Sequence, residues 1–232
     1  MTQAKGRARP NPKYPREEVS RRVDAFHEAY YYAGLWRSTT WMGVPAWKCP
    51  LDLWVYQEII HQTRPTLVIE CGTAHGGTAL YMAHLFDTMG DSAKTSRIVS
   101  VDIAQRPNMP RHARIEYLLG SSTDESIVAR VRERVRAGDR VMVILDSLHS
   151  RDHVLAELRA YWAMVSPGCY LIVEDSNING HPVWTDYEPD AGPGPFEAVA
   201  DFMKENDRFE IDASRERFMM TFNPSGYLRR KA

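Results

Sequence analysis

The chain has 232 residues, of which 44% are apolar and 25% are charged. This composition is ordinary for a globular protein, and the length suits one α/β domain with a sizeable core. The formal net charge of -1 gives no basic footprint for nucleic acid, and no apolar run approaches the length of a membrane span.

The cysteines and the first residues indicate the cellular setting. Cys49, Cys71 and Cys169 are widely spaced and form no C-x-x-C pair, so the sequence predicts a reducing, cytoplasmic environment. The first segment, residues 1–16, is basic, contains proline and lacks the apolar core of a secretion signal. We expect it to be a solvated tail.

The residues that follow predict an N-terminal extension. Residues 16–35 have the pattern of an aromatic-rich helix, and residues 36–50 are irregular. Three large indole side chains lie in the irregular segment: Trp36, Trp41 and Trp47. Because burying them is strongly favourable, we expect them at a core edge or a subunit interface rather than in a pocket. We therefore assign residues 1–50 to the extension and residues 51–232 to a single domain.

Strands and helices alternate through that domain after a first helix over residues 51–65. The predicted strands are, in order, TLVIECG, RIVSVDI, ARIEYLLGSS, VMVILDS and YLIVEDS. The predicted helices cover residues 76–90, ESIVARVRERVRAG with Gly138 as its C-terminal cap, HVLAELRAYWAMVSPG and FEAVADFMKEN. FEIDAS and FMMTFNP predict a terminal strand pair. This alternation predicts an α/β fold, a Rossmann-like, doubly wound and mostly parallel sheet with helices on both faces.

A glycine-containing loop follows the first predicted strand. Its sequence, ECGTAHGG, lets the backbone approach a ligand, and the helix N-terminus behind it favours polar or anionic groups. The spacing departs from the dinucleotide fingerprint G-x-G-x-x-G and matches the E-x-G-x-x-x-G pattern of class I S-adenosylmethionine-dependent methyltransferases. The candidate cofactor-binding residues are Glu70, Gly72, Thr73, His75, Gly76 and Gly77.

Polar residues at the next two strand ends extend this site. Asp102 ends the second strand, where a carboxylate would accept hydrogen bonds from ribose hydroxyls. Because folds that bind NAD place an acid similarly, Asp102 does not discriminate between cofactors. Gly120, Ser121 and Ser122 end the third strand and either border an adenine or form a plain turn.

Two acidic clusters end the following two strands. Asp146 follows VMVIL, and Glu174 and Asp175 follow YLIV. Either cluster alone fits a helix N-cap or an acidic turn. Together they converge on the crevice at one edge of a parallel sheet, where they would repel one another without a cation. We predict that Asp146, Glu174 and Asp175 hold a Mg²⁺ ion.

Three histidines lie near these clusters. His149 is three residues after Asp146, beside the predicted cation, which would keep it neutral as a general base must be. We expect His153 on an ordinary helix surface. His181 is a weaker candidate for contact with a substrate, in a loop over residues 176–195 that suits either a lid or an ordered structural loop.

Several long blocks carry a family resemblance from about residue 36 onward. These blocks are TTWMGVPAWKCPLDLWVYQEII, VIECGTAHGG, ILDSLHSRDHVLAEL, YLIVEDSNINGHP, GPGPFEAV and RFMMTFNPSGYLRR. Together they resemble the cephalosporin hydroxylase (CmcI-like) and rhamnosyl O-methyltransferase family. The resemblance implies a class I methyltransferase fold, S-adenosylmethionine bound by residues that include Asp146, Mg²⁺ at the two acidic clusters, and a homo-oligomer. The layout also resembles catechol-type O-methyltransferases, in which a lysine occupies the position of His149.

The functional hypothesis is methyl transfer from S-adenosylmethionine to a hydroxyl of a sugar, rhamnosyl-like, or of another secondary-metabolite acceptor, with Mg²⁺ as Lewis acid and template. An iron oxygenase is a weaker alternative, because no convincing set of two histidines and a carboxylate occurs. A nicotinamide dehydrogenase is weaker still. The alternative from another class is a non-catalytic partner that binds S-adenosylmethionine and supports hydroxylation or methoxylation of a natural product.

Overall fold

The structure is a computed structural model that describes residues 14–90, 95–184 and 192–232. Its described α-helices are α1 (Arg16–Tyr32), α2 (Pro50–Thr63), α3 (Gly77–Thr88), α4 (Glu125–Arg132), α5 (Arg151–Tyr161) and α6 (Pro195–Glu205). Its described strands are β1 (Thr40–Trp41), β2 (Val44–Pro45), β3 (Leu67–Cys71), β4 (Arg97–Asp102), β5 (Ile115–Leu119), β6 (Val141–Leu145), β7 (Tyr170–Val173), β8 (Phe209–Ile211) and β9 (Tyr227–Arg230). None of the helices in these ranges is long and apolar enough to cross a membrane.

Seven of these strands form one sheet in the order β5-β4-β3-β6-β7-β9-β8. The first five pair in parallel, and β9 runs antiparallel to both of its neighbours. The chain order reverses between β3 and β6, which is the switch point where open α/β sheets bind ligands. The doubly wound, mostly parallel sheet predicted from the sequence is confirmed.

Both faces of the sheet are buried, which explains why its central strands are apolar along most of their length. Along β3, Leu67 and Ile69 pack in one core cluster with side chains of α4, α5 and α6. Val68, between them, packs in a second cluster with α2 and α3. Successive side chains of a strand point to opposite faces, so one strand supplies both cores.

The second strand of the predicted terminal pair is wrong. The strand that pairs with β8 is β9, and the FMMTFNP segment (218–224) precedes β9 as an irregular stretch. Met219 lies in the left-handed region, with φ 71°, which interrupts an extended run. The segment then uses its polar groups on a buried carboxylate: both the Thr221 hydroxyl and the Phe222 N–H donate to Asp52.

The predicted cap of α4 is also wrong. The helix ends at Arg132, and Gly138 lies beyond it in a turn with φ 85°. Asp139 holds this turn, because its carboxylate accepts the Arg136 N–H at 2.7 Å and pairs with Arg97 at 2.6 Å. The carboxylate therefore stabilises the turn in place of further helical hydrogen bonds.

Residues 14–50, the described part of the predicted extension, pack against the sheet and its helices. The Trp41 ring packs edge-to-face against Tyr81 of α3, with ring centroids 4.8 Å apart. Its indole N–H donates to Nδ1 of His84 at 3.0 Å. At the start of α3, a side chain on Gly77 would come within 2.2 Å of the carbonyl oxygen of Pro45. The extension can approach α3 this closely because Gly77 has no side chain.

Candidate active site

The carboxyl ends of β3, β4, β6 and β7 meet at one edge of the sheet. The register places Cys71 beside both Val101 and Leu145, and Leu145 beside Val173. The residues that follow these positions therefore converge. A cavity of about 570 Å³ opens there.

Most of the predicted site residues line this cavity. They are Gly72, Thr73, His75, Asp102, Ser121, Asp146, His149 and Asp175. Gly76 and Gly77 lie just behind it, at the N-cap and the first residue of α3. Glu70 and Glu174 lie beneath the surface, each 1% exposed.

The glycine loop, residues 72–77, has glycine at positions where a side chain would collide with a neighbouring segment. Gly72 has φ 98°, and a Cβ atom there would lie 1.8 Å from the carbonyl oxygen of Asp146. Gly76 has φ 77° and donates its N–H to the carbonyl oxygen of Thr73 at 2.7 Å. A larger residue at Gly72 would push the loop away from the end of β6, and one at Gly76 would meet the side chains of Met109, Pro110 and Tyr117. The glycines therefore set the shape of this side of the cavity.

Asp102 holds the same loop from β4. Its Oδ2 accepts the N–H groups of Thr73 at 3.0 Å and Ala74 at 2.9 Å, and its Oδ1 accepts that of Ala104 at 3.0 Å. The carboxylate lines the cavity. Its predicted contact with a ribose stays a prediction.

Glu70 lies under the glycine loop instead of lining the cavity. Its Oε2 accepts the hydroxyl of Ser100, and its Oε1 is buried without a hydrogen-bond partner among the described residues. Burial raises the pKa of Glu70 to about 8. The carboxyl therefore carries a proton at neutral pH, and its predicted cofactor contact remains a prediction.

Asp146, His149 and Asp175 form the acidic wall of the cavity. One ligand atom from each lies within 4.8 Å of the others, and His149 Nε2 is 3.2 Å from Asp175 Oδ2. Burial raises the pKa of Asp175 to about 6. Two carboxylates and an imidazole are donors that a divalent ion accepts.

Beneath this wall lies a buried cation that the sequence reasoning missed. Lys48 Nζ is 2.5 Å from Asp146 Oδ2 and 2.9 Å from Glu174 Oε2, and its side chain is 3% exposed. Burial alone lowers the pKa of Lys48, but the adjacent carboxylates outweigh it and raise this pKa well above its ordinary value. Tyr56 and Asn223 donate to the other oxygen of Glu174, so the surroundings already neutralise and hydrogen-bond this buried carboxylate.

His153 lines the cavity, which corrects the expectation of an ordinary helix surface. Its Nε2 is 3.0 Å from the Ser147 hydroxyl and 3.3 Å from that of Ser122. The Ser147 hydroxyl donates to Glu157, a fully buried residue of α5. This hydrogen-bond network ties α5 to the loops after β5 and β6.

Aromatic residues of the extension form another part of the cavity wall, called the aromatic wall below. Tyr31, Trp36 and Trp47 line it, so the expectation that the tryptophans avoid a pocket is wrong for two of the three. Trp36 stacks on Tyr31 at 5.7 Å, and Trp47 meets His75 edge-on at 4.6 Å. The indole N–H of Trp36 is buried without a partner among the described residues.

The segment after β7 is described only in part. His181 does not line the cavity; its Nε2 is 2.7 Å from Glu197 Oε1, and its ring stacks on Phe196 at 3.9 Å. Residues 185–191, which include Asp186 and Tyr187 of the suggested lid, lie outside the described residues. The choice between a lid and a structural loop therefore stays open.

Comparison with known proteins identifies the family. The model of the family Rhamnosyl O-methyltransferase/CmcI matches residues 33–231. The chain belongs to this family. It is 40% identical to the rhamnosyl O-methyltransferase of Mycobacterium tuberculosis H37Rv over 210 aligned residues. The alignment covers 89% of this chain and 84% of that protein. The protein of the same name from Mycobacterium leprae is 38% identical, with 90% of each chain covered.

Solved structures support the fold. An apo structure of CmcI superposes with a TM-score of 0.63 at 21% identity, covering 84% of this chain and 77% of that one. A CmcI structure with Mg and SAM gives 0.60 at 20% identity, covering 84% and 78%. The predicted class I methyltransferase fold and the predicted enzyme class, an S-adenosylmethionine-dependent O-methyltransferase, are confirmed. The predicted cofactors are also those of the second CmcI structure.

Proposed function

We propose that the chain methylates a hydroxyl of a sugar or another secondary-metabolite acceptor, with S-adenosylmethionine as donor and a divalent ion such as Mg²⁺. One observation carries this proposal: Asp146, His149 and Asp175 meet on the wall of a cavity that also contains the glycine loop and Asp102. A site for the donor and a site that activates a hydroxyl thus share one space, as transfer between two bound molecules requires.

The donor set fits a divalent ion. We propose that Asp146 and Asp175 hold it from the cavity side, with Glu174 as the third ligand, because carboxylate oxygens are the ligands that Mg²⁺ prefers. A bound ion lowers the pKa of a coordinated hydroxyl and orients it. Asp175 supports this assignment, since its partial burial raises the pKa of its carboxyl and a bound cation would offset the cost of ionising it.

His149 is the proposed general base. As the acceptor oxygen bonds to the methyl carbon, the carbon–sulphur bond of the donor breaks and its electron pair stays on sulphur. The hydroxyl proton passes to the imidazole of His149, at the ring nitrogen that does not face Asp175. Asp175 Oδ2, 3.2 Å from Nε2, stabilises the resulting imidazolium. Lys48 is unsuited to this role, because its two carboxylate partners keep it protonated.

The aromatic wall supports an acceptor with apolar ring faces, such as a deoxysugar. Tyr31, Trp36 and Trp47 present flat surfaces on which carbon–hydrogen faces pack. Rhamnosyl methylation by relatives at 40% identity supports the same substrate class.

The test combines binding with turnover. Calorimetric titration of the chelator-treated protein with S-adenosylmethionine should show binding, and Mg²⁺ should then permit methyl transfer to glycosides with adjacent hydroxyls, rhamnosides among them. Asp146→Asn should lose ion binding and turnover. The control is Asp207→Asn, which changes an exposed carboxylate. Full turnover by Asp146→Asn would refute the ion assignment, and an absence of S-adenosylmethionine binding would refute the donor.

A further inference from the structure

An ammonium group lies where the acidic residues of two neighbouring strands meet. Lys48 Nζ contacts Asp146 Oδ2 at 2.5 Å and Glu174 Oε2 at 2.9 Å. The lysine stands between β2 and α2, so the extension supplies it to a site otherwise built by the sheet. Its side chain is 3% exposed, which means that the charge is held in place and shielded from solvent.

We propose that Lys48 is a resident counter-cation that limits the affinity of the acidic site for divalent ions. This inference rests on the ion site of the proposed function. With Asp146, Glu174 and Asp175 ionised, the formal charge of the site is -3, and Lys48 reduces it to -2. With Lys48 present, a divalent ion binds a site of net charge -2. Without the lysine the ion would bind a site of net charge -3, which attracts it more strongly.

The contacts of Glu174 show why the lysine and the ion compete. Its Oε1 accepts the Tyr56 hydroxyl and the Asn223 amide, and its Oε2 faces Lys48. Among the described residues, three of the four lone-pair positions of this buried carboxylate are therefore engaged. An ion that Glu174 coordinates must share Oε2 with Lys48, and an ion on Oδ2 of Asp146 must share that oxygen with the same ammonium.

The test replaces the charge and keeps the bulk of the side chain. In the full chain treated with a chelator, Lys48→Met should lower the dissociation constant of Mn²⁺ by about tenfold or more, measured by calorimetry or by the signal of free Mn²⁺ in electron paramagnetic resonance. The metal-free variant should melt at a lower temperature than the unchanged protein, because Asp146 and Glu174 then repel one another. Its melting temperature should rise more when Mn²⁺ is added.

Control variants separate charge from packing. Lys48→Arg keeps the charge and should keep the original Mn²⁺ affinity, and Lys48→Gln serves as a second neutral variant if the methionine protein does not fold. Lys204→Met removes an exposed lysine of α6 and should change neither quantity. Unchanged or weaker Mn²⁺ binding in both neutral variants overturns the inference. Binding by the variants but not by the unchanged protein supports it while contradicting the ion of the proposed function, which methyl-transfer assays judge separately.

Discussion

The acidic residues at the sheet edge carry the same functional group in different surroundings. Asp102 accepts three backbone N–H groups, Glu174 pairs with an ammonium, and Asp175 faces an imidazole. Glu70 has one hydroxyl partner in a fully buried position. Because environment sets the charge state of a carboxyl group, each of these residues suits a different task.

Removal of the proposed base should separate chemistry from binding. His149→Ala is expected to lower the rate of methyl transfer by about 10²–10⁴-fold, the usual contribution of a positioned base. S-adenosylmethionine and Mn²⁺ should still bind, because none of the three proposed ion-binding carboxylates is changed. Single-turnover kinetics and calorimetry together measure this. A variant that loses Mn²⁺ binding would instead identify the imidazole as a ligand.

Glu70 should make stability fall as the pH rises. Its pKa is about 8 in the folded protein and near 4.5 when the chain is unfolded, so the folded state holds a proton that the unfolded state releases between these values. The contribution is present below about pH 4.5 and is lost as the pH approaches 8. Urea unfolding across this range should show a smaller loss for Glu70→Gln, which stays neutral. Equal slopes for both proteins would refute the raised pKa.

Sequence reasoning located the residues at strand ends and missed those that act from outside the domain. Asp146, His149 and Asp175 were predictable because β-branched runs fix where parallel strands end. Lys48 was missed because the boundary at residue 50 placed it in the extension, although a single charge between Trp47 and Cys49 is itself a sign of a buried ion pair. That boundary remains a prediction.

At the scale of elements, the loop between β3 and α3 is constrained by contact as well as by φ. Gly72→Ala should cost about 1–3 kcal/mol more than Gly168→Ala, because a Cβ at Gly72 meets a backbone carbonyl at 1.8 Å. Gly168 is the matched control, since it also has positive φ but no atom within 4 Å of the added carbon. Denaturant unfolding of both variants gives the comparison. Equal costs would mean that the loop moves without penalty.

Hydrophobic pattern predicted the regular elements well and their ends less well. The predicted helix over residues 76–90 became Gly77–Thr88, and the five parallel strands appear where expected. The strand predicted at FMMTFNP is wrong because polar groups of this segment hydrogen-bond to a carboxylate distant in sequence. The helix predicted up to Gly138 ends early because Asp139 stabilises a turn there. Both errors arise from tertiary hydrogen bonds, which a local pattern does not contain.

At the scale of the molecule, the packing of α1 on the rest of the chain should weaken in acid. His27 of α1 stacks on Phe222 at 5.4 Å and accepts a hydrogen bond from the Asn177 amide, and burial lowers its pKa to about 4. Its contribution to stability is present above pH 6.5 and is lost as the pH falls toward 4, because the imidazole must then be charged. Tryptophan fluorescence should report the change, and His27→Gln should remove it. The same transition in that variant would contradict this assignment.

The homo-oligomer implied by the family resemblance stays a prediction. Light scattering coupled to size exclusion, over a range of protein concentrations, tests it directly. A mass of one chain at every concentration would show that the cavity described above is complete within a single subunit.

The absence of a side chain at Gly77 couples two parts of the enzyme that would otherwise vary independently. This position brings the first turn of α3, at the end of the glycine loop, against Pro45, two residues before Trp47 of the aromatic wall. A side chain at this position would force the first turn of α3 and the backbone of Pro45 apart. Attempts to broaden acceptor range by remodelling residues 44–48 should therefore alter donor affinity as well, and the two traits would have to be optimised as one.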